Sequence, residues 1–231
     1  MDSDRVSRLA DVLESNGFVE KCENYIGTWA PVDEEIRDLC EVRRPGHDSF
    51  QTAYPKVVIV DGAYRAGLSR CLTSSKGGTF DAQAEVAGWM WTHGHQTMES
   101  AIGAVSLRSS ANSASFLRDC LVSHGHVVCE LQKLGDSGKY PTSFVSKYLH
   151  FHNKDYVIYD SVVDDQMTKL LASVGGLPRA ERDIARPADL TYSESYYNYL
   201  GRFRYLMEAG MSLKPDATIK QLDHFLWNAW A

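Results

Sequence analysis

Apolar residues recur along this chain with the period of an α-helix. Val6, Leu9, Ala10 and Leu13 share one face behind Ser3, which can cap the helix. Phe18, Cys22, Tyr25, Ile26 and Trp29 mark a second helix that stops at Pro31. Asp33 caps a third, with Ile36, Leu39 and Cys40 on one side, ended by Pro45-Gly46. The stretch "YPKVVIVDGAYRAGLSR", residues 54–70, reads two ways. VVIV has strand propensity, while Ala63, Ala66 and Leu68 continue a helix. After a loop at "SSKGGTF", residues 74–80, Asp81 opens a helix through Ala84, Val86, Ala87 and Trp91 that ends at His93-Gly94. Residues 96–107 look helical again. The clearest period belongs to Leu117, Cys120, Leu121, His124, Val128, Leu131 and Leu134, followed by a polar turn at 135–141. Residues 174–190, rich in glycine, proline and charge, read as a loop. Two helices close the sequence, one on Tyr196, Tyr199, Leu200, Phe203, Leu206 and Met207, the other on Ile219, Leu222, Phe225, Leu226 and Ala229. No internal repeat is visible. The pattern predicts an all-α chain of about ten helices with few or no strands.

Composition narrows this. A chain of 231 residues with 44% hydrophobic content can build a real core as one domain or two closely packed halves. No apolar run approaches the roughly 20 residues that cross a membrane. The opening "MDSDRVSRLADVLES" is charged and amphipathic, without the apolar core of a secretory signal, so a cytoplasmic protein is expected. Cys22, Cys40, Cys71, Cys120 and Cys129 are odd in number, lie in apolar surroundings and form no CxxC, which points to reduced, buried thiols. The net charge of −6 argues against a protein that coats nucleic acid indiscriminately. It leaves room for a local basic face, and residues 133–155 carry Lys133, Lys139, Lys147 and Lys154 against Asp136 and Asp155.

Common catalytic signatures are missing: no P-loop, GxGxxG, HExxH or GxSxG occurs. Three HxH pairs do: His93/His95, His124/His126 and His150/His152. On a strand such a pair shares a face, whereas on a helix it diverges by about 200°. No acidic or cysteine partner lies at a recognisable ligand spacing, so each pair reads as one buried and one exposed histidine, and no metal is expected. The aromatic pairs, Trp89 with Trp91 and Tyr196 with Tyr197 and Tyr199, read most simply as core. The segment "SFVSKYLHFHNKDYVIYDSVV", residues 143–163, is different. It places one amine, Lys147, in an otherwise apolar helical pattern, and one carboxylate, Asp160, thirteen residues later at what looks like a helix start. Read alone, these are a surface lysine and a capping aspartate, or a working pair.

The residues "PTSFVSKYLHFH" followed by "VIYDSVV" resemble the active-site segment of the helix-hairpin-helix DNA glycosylase superfamily, to which the 8-oxoguanine glycosylases belong. They are most similar to a divergent bacterial branch that includes an anti-phage glycosylase removing glucosylated hydroxymethylcytosine from phage DNA. "VDGAYRAGLSR" and "QLDHFLWNAWA" look like that branch too. The resemblance implies two packed helical subdomains within a single domain spanning 1–231, with the active-site segment at about 136–172 in a cleft between them. It implies a monomer without cofactor that binds double-stranded DNA containing a modified base and flips that base out. Lys147 falls on the family's catalytic lysine and Asp160 on its aspartate. Tyr64 and Arg65 fall in the loop that fills the gap left in the duplex. Trp89, Trp91, Tyr148, His150, His152 and Tyr159 are then pocket-wall positions, and Lys139, Ser143, Ser146 and Ser161 DNA-contacting ones. Thr142-Ser143-Phe144-Val145 stand where the family's hairpin carries its L-P-G-x-G turn. No cysteine-rich iron–sulfur motif is present, which excludes the cluster-bearing branch. The alternatives are an oxidised-purine glycosylase of the 8-oxoguanine kind, a non-catalytic helical DNA- or partner-binding module, and a metal-dependent hydrolase built on the HxH pairs.

Overall fold

The structure, a computed structural model, describes residues 3–74, 80–108, 110–176, 184–187 and 191–228. Of the expected loops at 74–80 and 174–190, residues 75–79, 177–183 and 188–190 lie outside them, as does the apolar position Ala229. The all-α expectation holds: among the described residues there is no strand. The helices are α1 (Ser3–Ser15), α2 (Phe18–Thr28), α3 (Ala30–Asp38), α4 (Phe50–Ala63), α5 (Leu68–Cys71), α6 (Ala82–Trp89), α7 (His95–Gly103), α8 (Ser113–Gln132), α9 (Thr142–His152), α10 (Ser161–Ser173), α11 (Glu194–Leu213) and α12 (Ile219–Asn228).

Three boundaries differ from the sequence reading, each for a local reason. Pro31 does not end a helix; it sits in the first turn of α3, where its missing N–H bonds to nothing anyway. Asp33 is consequently not a cap but a buried acceptor for the Tyr25 hydroxyl, at 2.9 Å. His93-Gly94 does not stop α6 either. The chain widens into a π-helical turn, Met90–Gly94, and continues as α7. The Trp89 ring lies so close over Gly94 that a Cβ there would come within 2.6 Å of it.

The ambiguous VVIV stretch is helical. Ser49 caps α4 by accepting from the Thr52 N–H at 3.1 Å. Pro55, inside α4, leaves the carbonyl of Gln51 without its helical donor. Arg44 fills that position, its Nη1 standing 2.6 Å from the Gln51 oxygen.

Buried apolar residues from Leu9 to Leu226 form one contiguous cluster. The first helices pack on the last: α1 against α11 and α2 against α12. α4 packs on α6, α7 on α8, and α10 on both α11 and α12. α9 lies in the middle, touched by α3, α4, α7 and α8, and every residue from Phe144 to Phe151 is buried. A helix apolar nearly all round is stable only in such a place. No described helix is long and apolar enough to cross a membrane.

Candidate active site

One side chain on α9, a lysine, brings a full charge into that surface. Lys147 is 3% exposed, and its ammonium must find partners or pay heavily for leaving water. It has two. Its Nζ donates to Asp160 Oδ2 at 2.8 Å and to the Tyr64 carbonyl at 3.1 Å. Asp160 caps α10: its other oxygen, Oδ1, accepts from the Val162 N–H at 2.9 Å. The carboxylate thus faces a lysine and a helix N-terminus at once, both of which favour its charge. Its side chain keeps 17% of its surface exposed against 4% for Lys147, so a substrate would arrive from the Asp160 side.

The loop 153–160 delivers Asp160, and it is pinned along its length. Asn153 donates to the carbonyls of Ile102 and Val105, both at 2.8 Å. Asp155 accepts from the Leu107 N–H, and the Tyr156 hydroxyl donates to the Ala101 carbonyl at 2.6 Å. From α11, the Tyr196 hydroxyl donates to the Val157 carbonyl. Finally the Tyr159 N–H donates to Ser146 Oγ, one residue before Lys147, at 3.0 Å. Ser146 is fully buried, so it is a brace between α9 and this loop and has no surface to offer DNA.

The Tyr64 side of the pair is also constrained. Asp61 accepts from the Leu68 N–H and from Gln83, holding the turn after α4. In that turn Arg65 has φ 46°, the only left-handed residue other than glycine among those described. The Tyr64 ring packs on Phe151 at 4.9 Å, and Lys220 Nζ lies 4.9 Å from its centre. Lys220 in turn bonds Asp223 and lies 3.9 Å from Asp33. Tyr64 is therefore engaged on the protein side, whereas Arg65 is exposed and makes no side-chain hydrogen bond among the described residues.

The other expected site residues divide. Lys139 and Ser161 are exposed, and Ser143 and Tyr159 half-buried; Tyr159 meets the rings of Tyr196 and Tyr199 edge-on. Tyr148 and His150 have no exposed surface and belong to the core, contrary to a pocket-wall role in this arrangement. The reason is that α9 is surrounded on all sides. His150 Nδ1 donates to the Tyr156 carbonyl at 2.8 Å, and burial lowers its pKa to about 3, so the ring is neutral. His152 is held to the Tyr148 carbonyl at 2.9 Å. Trp89 lies over the α6–α7 turn and Trp91 is half exposed there. The expected basic face shrinks, since Lys147 is buried and Lys133 is bound to Glu130. Of two surface pockets, of about 500 and 470 Å³, the second is lined in part by His152, and neither by Lys147 or Asp160.

Sequence reasoning missed two groupings. One is the Lys220–Asp223–Asp33–Tyr25 network beside Tyr64; nothing in the spacing of residues 25, 33 and 220 announces it. Near it the Tyr199 hydroxyl is buried without a protein partner, its pKa raised well above the usual value by burial and by the charges of Asp223, Asp164 and Asp160. The other joins His47 to Glu99, with Nδ1 and Oε1 2.7 Å apart. Glu99 follows His95 by four residues, a helical spacing that sequence could have offered. Set against known proteins, the chain matches no family model, no curated protein and no solved structure.

Proposed function

We propose that this protein is a DNA glycosylase that flips a modified base out of the duplex and cuts its N-glycosidic bond. One observation carries the reading. A buried lysine and a helix-capping aspartate, thirteen residues apart, meet at 2.8 Å, with the carboxylate on the accessible side. Residues of this kind are needed by the reaction. Breaking the C1′–N bond sends the electron pair to the departing base and leaves positive charge on the sugar. Asp160, fixed by the Val162 N–H, opposes that charge. A water adds to C1′ and gives its proton to Asp160, from which it can pass to the base. Alternatively the Lys147 amine adds to C1′ in place of water. It must first leave Asp160 and lose a proton, and the resulting Schiff base permits strand cleavage.

The exposed Arg65, on its strained turn beside Tyr64, is the side chain assigned to the gap in the duplex, with Lys139 and the exposed start of α10 at Ser161 on the phosphates. The resemblance in sequence supports glucosylated hydroxymethylcytosine in phage DNA as the proposed substrate, and with it a proposed anti-phage role. The base would be received on the partly exposed Asp160 side of the pair.

A non-catalytic reading has one observation in its favour. Capping and charge pairing between them account for Asp160 and Lys147 without any substrate. An abasic-site assay decides. Purified protein is given duplexes holding 8-oxoguanine, uracil or hydroxymethylcytosine, and phage DNA with glucosylated hydroxymethylcytosine. The expected outcome is alkali-labile sites on the glucosylated DNA, reduced at least about 100-fold in Asp160→Asn, which still caps α10. Sites on 8-oxoguanine instead would make it a repair enzyme. No sites anywhere, with DNA binding unchanged in Asp160→Asn, would leave a binding module.

A further inference from the structure

The opposite face of α9 carries a separate polar cluster. Tyr148 and His152 stack there, with ring centroids 4.5 Å apart, and His152 lies 5.2 Å from the ring of His47. His47 is fully buried and comes from the connection ahead of α4. Its two nitrogens are both engaged: Nδ1 with Glu99 at 2.7 Å, and Nε2 with the Tyr148 hydroxyl at 3.0 Å. His95 and Glu99 stand one turn apart on α7, so one side of that helix presents both. A ligand atom from each of His47, His95 and Glu99 lies within 4.8 Å of the other two.

We propose that His47, His95 and Glu99 form a three-ligand site for a divalent transition-metal ion of the zinc class, with the remaining position open to solvent. The donor set is the first argument. Two imidazoles and one carboxylate suit zinc and its neighbours, and suit neither the all-oxygen preference of calcium or magnesium nor a thiolate site. Spacing is the second. Ligands of one zinc ion stand roughly 3–3.5 Å apart given bonds near 2.0–2.2 Å. Gathering these three atoms therefore asks for rotations of His95 and Glu99, both exposed, with Glu99 giving up its bond to His47.

The surroundings of His47 are the third argument. A ligating imidazole is normally oriented by a partner on its other nitrogen. Here Tyr148 already stands at Nε2, and its oxygen can accept an N–H as readily as its hydroxyl can donate. Binding then moves one proton within the ring: Nδ1 releases Glu99 and takes the metal, while Nε2–H turns to Tyr148. The charge of buried Lys56, close enough to act on both His47 and Glu99, opposes a cation and limits the affinity. Glu99 supplies the compensating negative charge. An ion here would clip the connection ahead of α4 to α7.

The test uses the full chain, stripped with a chelator and titrated with Zn²⁺ by calorimetry and with Co²⁺ by visible absorption. One equivalent is expected to bind, with Co²⁺ showing the bands of a low-coordinate nitrogen–oxygen site and Zn²⁺ raising the unfolding temperature. His95→Ala and Glu99→Ala change exposed residues and should leave circular dichroism intact, yet weaken binding at least roughly 100-fold. His126→Ala, an exposed histidine outside the cluster, should change nothing. Binding far below one equivalent, or binding that survives both His95→Ala and Glu99→Ala, overturns the proposal. Glycosylase activity plays no part in this readout.

Discussion

Two lysines are buried among the described residues, and they are accommodated in different ways. Lys147 meets a carboxylate, Asp160, as well as the Tyr64 carbonyl. Lys56, with no exposed surface, meets only the Gly46 carbonyl at 2.6 Å and forms no ion pair among the described residues. Burial pulls the Lys56 pKa down to about 8, with Cys40, Glu99 and Asp48 offsetting part of the cost. The contrast shows what an anion in contact does for a desolvated amine. One lysine is held as half of a pair; the other is a charge the fold tolerates. The Lys147 side of α9 therefore holds a matched ion pair, and the Lys56 side a charge with no anion in contact among the described residues.

The largest test of this contrast is acid. Among the described residues, His124, His150 and His152 also hydrogen-bond only to backbone carbonyls: those of Thr142, Tyr156 and Tyr148. Burial lowers their pKa values, His124 to about 4, His150 to about 3 and His152 well below normal. A folded pKa below the unfolded one means the unfolded chain binds the extra proton. Their contribution is intact above about pH 6.5 and erodes below it, that of His124 and His150 being lost by about pH 3–4. Each histidine then costs up to about 1.4 kcal/mol per pH unit. Urea unfolding from pH 7 to 5 should show a steep loss of stability, and a flat profile would break the comparison.

The two lysines themselves come next. Lys147→Met strands a carboxylate and should cost about 3 kcal/mol. Lys56→Met removes an unpaired charge and should stabilise by about 2 kcal/mol at pH 7, the gain being trimmed by the carbonyl it leaves bare. The sign follows from a folded pKa near 8 against 10.5 unfolded: native stability rises with pH between those values as the unfolded chain alone keeps the proton. The gap between Lys56→Met and the parent should accordingly shrink by pH 9.5. Equal losses in both variants would mean that the partner anion is irrelevant. The smallest effect is expected at Ser146, which ties the Asp160 loop to α9. Ser146→Ala should cost about 1–2 kcal/mol in chemical denaturation, and should lower abasic-site formation through misplacement of Asp160 rather than through DNA affinity.

The pair was legible in sequence because it is local: a helix, a short loop and a cap lie consecutively along the chain. The all-α class was legible for the same reason, through the periods of α1, α8 and α11. The fate of Tyr148 and His150 was not. An aromatic-rich helix carrying one lysine looks alike whether it lines a cleft or sits among four neighbours, and only packing by α3, α4, α7 and α8 decides. In the VVIV helix the carbonyl that Pro55 leaves open is met by Arg44, a contact that no window of propensities contains. His47 joins Glu99 across 52 residues and a helix boundary, beyond any spacing rule.

The packing of α1 on α11 has a consequence for synthesis. Leu9 and Leu13 are fully buried in the finished protein, but the helix that helps cover them, Glu194–Leu213, emerges roughly 180 residues later. At about 5–20 residues per second, α1 waits roughly 10–40 seconds on the ribosome with its apolar stripe bare. A thirteen-residue helix is marginal alone, so in that interval it is an unfolded, sticky segment of nascent chain. A helix made well before the one that covers it is among the late parts to find its place, and the protein's yield in a cell should depend on whatever shields nascent chains during that delay.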